Sequence, residues 1–304
     1  MKRVILCVDD FGLSPEVNEA VAELVDARVV SATSCLSLGP AWPDGAALLS
    51  GPRREHLDVG LHLNLTEAFA AAPALAMPLP LLIARALLRS LDPEWLKQAV
   101  CKQLDAFEAV WGAAPDYVDG HQHVHQLPQV REVLLTELSR RYGAADPDSA
   151  GGLHGSHHAR GAASTGGASG GLPWLRLTRA RRTRPGIGLK QRVIEALGSS
   201  AFERQARRAG FRLNGALLGV YGFDDDASAY ASRFQAWLSQ AQDGDVLMMH
   251  PARPLREAAP PPHQSPRGID AARAVEYAVL RDMGTPLLAQ AGVQAHRMAR
   301  GPVF

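Results

Sequence analysis

The sequence predicts an α/β fold, an irregular (β/α) TIM-like barrel of seven or eight parallel strands, on two observations. Short apolar runs rich in Val, Leu and Ile alternate with longer amphipathic segments, the rhythm that parallel strands with helical crossovers produce. Eight such runs in 304 residues match a barrel of roughly 250 residues plus insertions better than a five- or six-stranded open sheet.

Taken in order, strands are expected at 3–8, 33–38, 57–65, 117–124, 174–177, 216–221, 245–249 and 293–298. Helices are expected at 15–27, 93–111, 128–142, 189–210, 227–242 and 269–292, several opening on Pro or just after Ser or Asp, as helix starts do. Residues 68–84 carry no charge apart from their flanks and contain Pro73, Pro78 and Pro80. That run is short of the roughly 20 apolar residues of a bilayer span and reads as a loop or lid. Residues 144–171 are dense in Gly, Ser and Ala and show no apolar period, which predicts a flexible surface loop within a single domain spanning 1–304. Its His154, His157 and His158 lie where a preorganised site is hard to build.

Composition narrows the function classes. Apolar residues make up 46% of the chain and charged ones 21%, enough to bury a core. Thirty-two Lys and Arg against thirty-one Asp and Glu leave a formal charge of +1, which supplies no global field for a nucleic acid. Cys7, Cys35 and Cys101 are scattered and suggest neither a disulfide framework nor a zinc knuckle. The apolar run at the amino terminus meets Asp9 and Asp10 before reaching signal-peptide length. A cytoplasmic protein with no transmembrane segment is the expectation, and a homodimer is compatible with it.

Chemistry-bearing residues collect at strand ends. The first strand closes on Asp9-Asp10-Phe11-Gly12, and since successive strand residues face opposite ways, both acids reach one site only if the backbone turns there. The third carries His62 and Asn64 on one face. The fourth, read as a strand through 119–125, puts Asp119, His121, His123 and His125 at alternate positions on one face. Residues two apart on a strand lie about 6.5–7 Å apart, so one of these imidazoles would ligate an ion while the others orient or bind substrate. The seventh strand delivers His250 to its terminus. In a barrel these ends open on one face, so Asp9, Asp10, His62, His121 and His250 can share a pocket. Two imidazoles with a carboxylate leave positions open on a divalent cation for water and substrate.

Together, Val8-Asp9-Asp10-Phe11-Gly12-Leu13-Ser14, Gly60-Leu61-His62-Leu63-Asn64-Leu65-Thr66, Asp119-Gly120-His121-Gln122-His123-Val124-His125 and Met249-His250-Pro251 resemble the YdjC-like carbohydrate deacetylases. That family includes the chitooligosaccharide deacetylases and the hopanoid-biosynthesis-associated members. The resemblance implies removal of an acetyl group from an N-acetylated sugar with one divalent metal ion, Mg2+ in the first place and Zn2+ or another divalent ion as the alternative. By motif, Asp10, His62 and His121 would ligate the metal, Asp9 would be the general base and His250 the general acid. His123, His125 and Asn64 would line the substrate pocket. Arg176 falls where such enzymes place a strand-five arginine, orienting Asp9 or touching sugar, with a surface role as the alternative. The Arg179, Arg181, Arg182 and Arg184 cluster reads as a solvated face. Competing readings are a non-catalytic sugar-binding barrel, a metal-dependent hydrolase of another acylated amine, and a non-haem iron oxygenase. The last sits on antiparallel scaffolds, against the βα rhythm; the first has no need of Asp9 beside Asp10.

Overall fold

Each strand of this chain alternates one residue toward a barrel interior with one toward surrounding helices, and that alternation fixes which side chains meet. The computed structural model describes residues 1–143, 171–180, 189–254 and 268–299. The expected 144–171 loop with its three histidines lies, but for Gly171, outside the described residues, as do Arg181, Arg182 and Arg184.

Among the described residues eight strands form one sheet, and every strand pair is parallel. They are β1 (Lys2–Phe11), β2 (Ala32–Cys35), β3 (Asp58–Leu63), β4 (Tyr117–Gly120), β5 (Trp174–Leu175), β6 (Leu217–Leu218), β7 (Val246–Met249) and β8 (Val293–Ala295). The order is β5-β4-β3-β2-β1-β7-β6, with β8 paired to the opening residues of β1. Leu175 N–H donates to the Arg212 carbonyl and Leu217 N–H to that of Arg179, both at 2.9 Å. These bonds and the Leu175–Leu213 bridge bring the two ends of that order together, which is the expected irregular barrel.

The helices are α1 (Pro15–Asp26), α2 (Trp42–Gly45), α3 (Leu79–Leu87), α4 (Pro93–Trp111), α5 (Val130–Tyr142), α6 (Leu189–Ala196), α7 (Ser199–Arg208), α8 (Ala227–Gln240) and α9 (Ile269–Gln290). Ser14 caps α1 by accepting from Val17 N–H, and Asp92 and Asp226 cap α4 and α8 in the same way, each satisfying a donor the helix leaves open. Val4, Leu6 and Val8 of β1 pack outward with the helices' apolar faces, whereas Ile5 and Cys7 join Ala32, Tyr117, Trp174, Val246 and Met248 inside. Tyr117 stacks on Trp174 at 4.2 Å. A Cβ on Gly60 would stand 2.5 Å from the Tyr117 ring, so β3 has no side chain where that ring passes.

Three expectations are corrected. The segment expected to be a loop or lid at 68–84 contains α3, because Pro78 and Pro80 sit at its cap and first turn, where proline starts a helix rather than breaking one. The single helix expected at 189–210 is two, parted at Gly198, whose φ of 132° no helical residue adopts. The fourth strand ends at Gly120, not at 124: Gln122 and His123 take left-handed backbone angles (φ 51° and 61°) inside a 3₁₀ segment, His121–Gln126. Asp119, His121, His123 and His125 therefore do not share a strand face. Instead the chain doubles back, and a Cβ on Gly120 would lie 2.8 Å from the His125 nitrogen. Among the described residues no helix is long and apolar enough to cross a membrane.

Candidate active site

The inward positions at the carboxyl ends of the strands are polar rather than apolar. β1 places Asp9 on the interior side, two residues after Cys7, and its register with β2 shifts between Val8 and Phe11. At that irregularity Asp10 has a φ of 69°, which is the backbone turn needed to bring both acids to one place. β3 contributes His62, β4 contributes Asp119, and His121 follows on the first residue after β4.

Asp10, His62 and His121 form a buried cluster able to hold a metal ion, with ligand atoms all within 4.8 Å of one another. Asp10 Oδ1 lies 3.4 Å from His62 Nε2 and 3.0 Å from His121 Nδ1. The donor set fits a divalent cation: one carboxylate for charge and two imidazoles as borderline ligands. The opposite nitrogen of His62, Nδ1, is 2.6 Å from Asp119 Oδ1, the carboxylate–imidazole pairing that fixes a ligating histidine's ring and raises its basicity. Burial opposes charge on His62, but the Asp119 and Asp9 carboxylates and the bond to Asp10 overturn it and push the ring up to about 10. His121 moves up for the same reason, burial being outweighed by Asp10 and Glu67. The protons those carboxylates hold on the rings are what a cation would displace.

Asp9 stands beside this cluster and is held by a different partner. Arg176, fully buried, donates Nη1 to Asp9 Oδ2 at 2.7 Å and Nη2 to Asp9 Oδ1 at 2.6 Å, and Nη2 also lies 2.7 Å from Asp119 Oδ2. The Ser34 hydroxyl, with one proton to give, lies 2.7 Å from Asp119 Oδ2 and 3.2 Å from Asp9 Oδ1, so it donates to one of the two carboxylates at a time. Burial alone would raise the Asp9 carboxyl, yet Arg176 and then His62 hold it well below the usual carboxylate range. Of the two roles expected for Arg176, orienting Asp9 is the one its contacts carry; the surface alternative is excluded by its burial.

His250 follows β7, with Nε2 4.0 Å from Asp9 Oδ2 and its ring edge-on to Phe223 at 5.3 Å. Burial pulls it down to about 4 against the opposing pull of Asp9 and Asp10, so the imidazole is neutral at pH 7. His125 Nε2–H donates to the Arg176 carbonyl at 2.9 Å and the ring meets Phe202 edge-on; burial brings it down to about 4 as well. His123 is lowered by burial and by the neighbouring His125. Asn64 Oδ1 accepts the N–H groups of Thr66 and Glu67, and its Nδ2 donates to the Glu67 carbonyl. That turn carries Glu67, half exposed, to 3.6 Å from His121 Nε2.

Ser34, Glu67, Arg273 and Glu276 are not anticipated from the sequence; Ser34 is an ordinary β2 serine in the letters. Glu67 is announced only by an Asn-x-Thr-Glu turn, a common surface pattern. Arg273 and Glu276 lie on α9: Arg273 Nη2 donates to Asp10 Oδ2 at 2.6 Å, and Glu276 accepts from the His250 N–H at 2.6 Å and from the Tyr221 hydroxyl at 2.6 Å. Their signal was two charges on the helix face that also carries Ala272, Val279 and Leu280, all buried.

Burial raises the Glu276 carboxyl from its ordinary 4.5 to about 7, its hydrogen bonds opposing. The folded chain thus keeps a proton that the unfolded chain releases, so stability from this group is full below about pH 4.5 and falls as pH rises toward 7. The loss is on the order of 3 kcal/mol. Glu276→Gln is expected to flatten that part of the profile, read from denaturant midpoints at pH 5 and pH 7.5; an unchanged slope would contradict it.

A buried carboxylate–imidazole cluster at the carboxyl ends of parallel strands defines an α/β-barrel protein with a candidate metal centre. The chain belongs to the YdjC-like protein family, whose model matches residues 3–288. Over 153 residues it is 33% identical to a carbohydrate deacetylase of Homo sapiens, a match covering 46% of each chain. Over 151 residues it is 32% identical to a chitooligosaccharide deacetylase of Klebsiella pneumoniae, covering 48% of this chain and 59% of that one. The match thus spans about half the length of these relatives. A solved structure from Enterococcus faecalis V583, named for cellobiose-phosphate cleavage, shares the fold with a TM-score of 0.57 at 17% identity, covering 96% of both chains.

Proposed function

We propose that this protein is a metal-dependent carbohydrate N-deacetylase, hydrolysing the amide of an N-acetylated sugar such as a chitooligosaccharide. The observation that carries the reading is the adjacency of two differently held carboxylates: Asp10 with His62 and His121 as a ligand set, and Asp9 kept ionised by Arg176 beside it. The names of the relatives supply the substrate class. Asp10, His62 and His121 would hold a divalent ion, Mg2+ by family resemblance or Zn2+ by the nitrogen ligands, which when bound would supply Lewis-acid polarisation of the amide carbonyl and a lowered pKa for water.

Asp9 accepts the proton of the attacking water. Its depressed pKa keeps it ionised at every working pH, and the Arg176 fork holds both its oxygens in place. His250 is neutral at pH 7, so it can protonate the departing amine only after receiving a proton within the cycle, and Asp9 Oδ2, 4.0 Å away, is near enough to pass it on through one water rather than directly. Asp119 fixes the His62 ring, and Ser34 and Arg176 anchor Asp119. His123, His125 and Asn64 shape the pocket wall, His125 and Asn64 through the backbone they pin.

Two arms test this. Equimolar acetate and free amine from N-acetylglucosamine oligomers is the expected result, and acetate from O-acetylated sugars only would overturn the amide reading. His62→Ala and His121→Ala are each expected to weaken divalent-ion binding by about 100-fold or more, measured by calorimetry on chelator-stripped protein. Wild-type affinity in both would remove the ligand assignment.

A further inference from the structure

His250-Pro251 lies past the end of the β7 ladder, whose last partners are Met249 with Val8 of β1 and Leu247 with Leu218 of β6. The sheet therefore does not hold the backbone that carries the imidazole. Helix α9 does. The His250 N–H donates to Glu276 Oε2 at 2.6 Å, the His250 carbonyl accepts from Arg273 Nη1 at 3.3 Å, and the Ala252 N–H donates to the Arg273 carbonyl at 3.1 Å. Pro251 has no N–H to satisfy. The second guanidinium arm of Arg273, Nη2, reaches Asp10 Oδ2 at 2.6 Å, the oxygen that faces neither His62 nor His121. Glu276 is itself anchored through its other oxygen by the Tyr221 hydroxyl and is fully buried.

We infer that Arg273 and Glu276 are positioning residues, a clamp on one helix turn that sets the His250 backbone and the Asp10 carboxylate in register with each other. This rests on the reading of Asp10 and His250 as site residues. Arg273 is the one side chain among those described that bonds both, so it ties the ligand carboxylate on β1 to the proton-handling segment after β7. The Arg273–Asp10 bond, charge-assisted and 2.6 Å long, is short and directional, and a displacement of about 1 Å in a reacting group costs on the order of 100-fold in rate. The clamp acts through placement, so its loss should lower kcat and leave KM nearly unchanged.

The test uses full-length protein with isotope-labelled histidine, the His250 ring and backbone N–H signals being assigned with His250→Asn. Arg273→Lys and Glu276→Ala are expected to shift the His250 signals, to speed exchange of its N–H by at least about 100-fold, and to lower kcat about 10- to 100-fold with KM within about threefold. Glu276→Gln, which keeps an oxygen acceptor for that N–H, is expected to recover most of the loss. Wild-type His250 signals and exchange in Arg273→Lys and Glu276→Ala would overturn the clamp. Should Glu276→Ala not fold, Arg273→Lys and Glu276→Gln decide on the same signals, the clamp being rejected if Arg273→Lys leaves His250 as in the wild type. Absence of acetate release from the wild-type protein would sink the deacetylase reading, while the resonance and exchange data would still judge the clamp.

Discussion

Asp9→Asn is expected to retain the fold and the metal site and to lose about 10²- to 10⁴-fold in kcat, the range attributable to a general base. The amide is the same size as the carboxylate and can still accept from Arg176 through one oxygen, but it cannot take a proton from water. Its other atom becomes a donor facing the Arg176 guanidinium at what was a 2.6–2.7 Å contact, so a stability cost of about 1–3 kcal/mol accompanies the loss. Divalent-ion affinity should stay within a few-fold of wild type under the proposed ligand set of Asp10, His62 and His121, and should fall sharply if the neighbouring group of Asp9, His62 and Asp119 holds the ion instead. Full activity in this variant would show that another group serves as base; lost activity with equally lost metal affinity would show that Asp9 is a ligand instead.

Arg176→Leu is expected to have the largest effect on stability. The guanidinium is fully buried between Asp9 and Asp119, with Ser34 and Cys7 also in contact. Removing it leaves two carboxylates in the barrel interior without their shared counter-charge. Breaking a buried ion pair from one side costs about 3–5 kcal/mol, which lowers Tm by on the order of 10 °C in a protein of this size. Asp9, released from Arg176, should also titrate upward, moving the acid limb of the activity profile to higher pH. Arg176→Lys keeps the charge but not the fork, and should fall between. A melting temperature within about 2 °C of wild type for Arg176→Leu would contradict this account of what holds the interior.

The sites legible in the sequence are those that a two-residue period and a strand terminus suffice to place. Asp9, His62, Arg176 and His250 each lie at an inward position near a strand's carboxyl end, where alternation with apolar neighbours marks the face. Asp10 required a backbone turn that no propensity announces; the structure supplies it as a bulge with a positive φ. The His121–His125 run misled because its alternation is strand-like in letters, while the left-handed angles at Gln122 and His123 are tertiary choices. Arg273 sits 263 residues from Asp10 and Glu276 sits 26 residues from His250, and a single sequence gives no means of pairing them. Likewise α3 was hidden by prolines that read as breakers until their place at a helix start is known.

The central claim is that the ends of β1, β3, β4 and β7 form one metal-dependent hydrolytic site. It is tested most directly by acetate release from a panel of N-acetylated sugars, using chelator-stripped protein re-supplied with single divalent ions. The account predicts release only with a metal restored, abolished by His121→Ala and reduced at least about 100-fold by Asp9→Asn. Undiminished release by the stripped protein, or none under any ion with metal bound stoichiometrically, would contradict it.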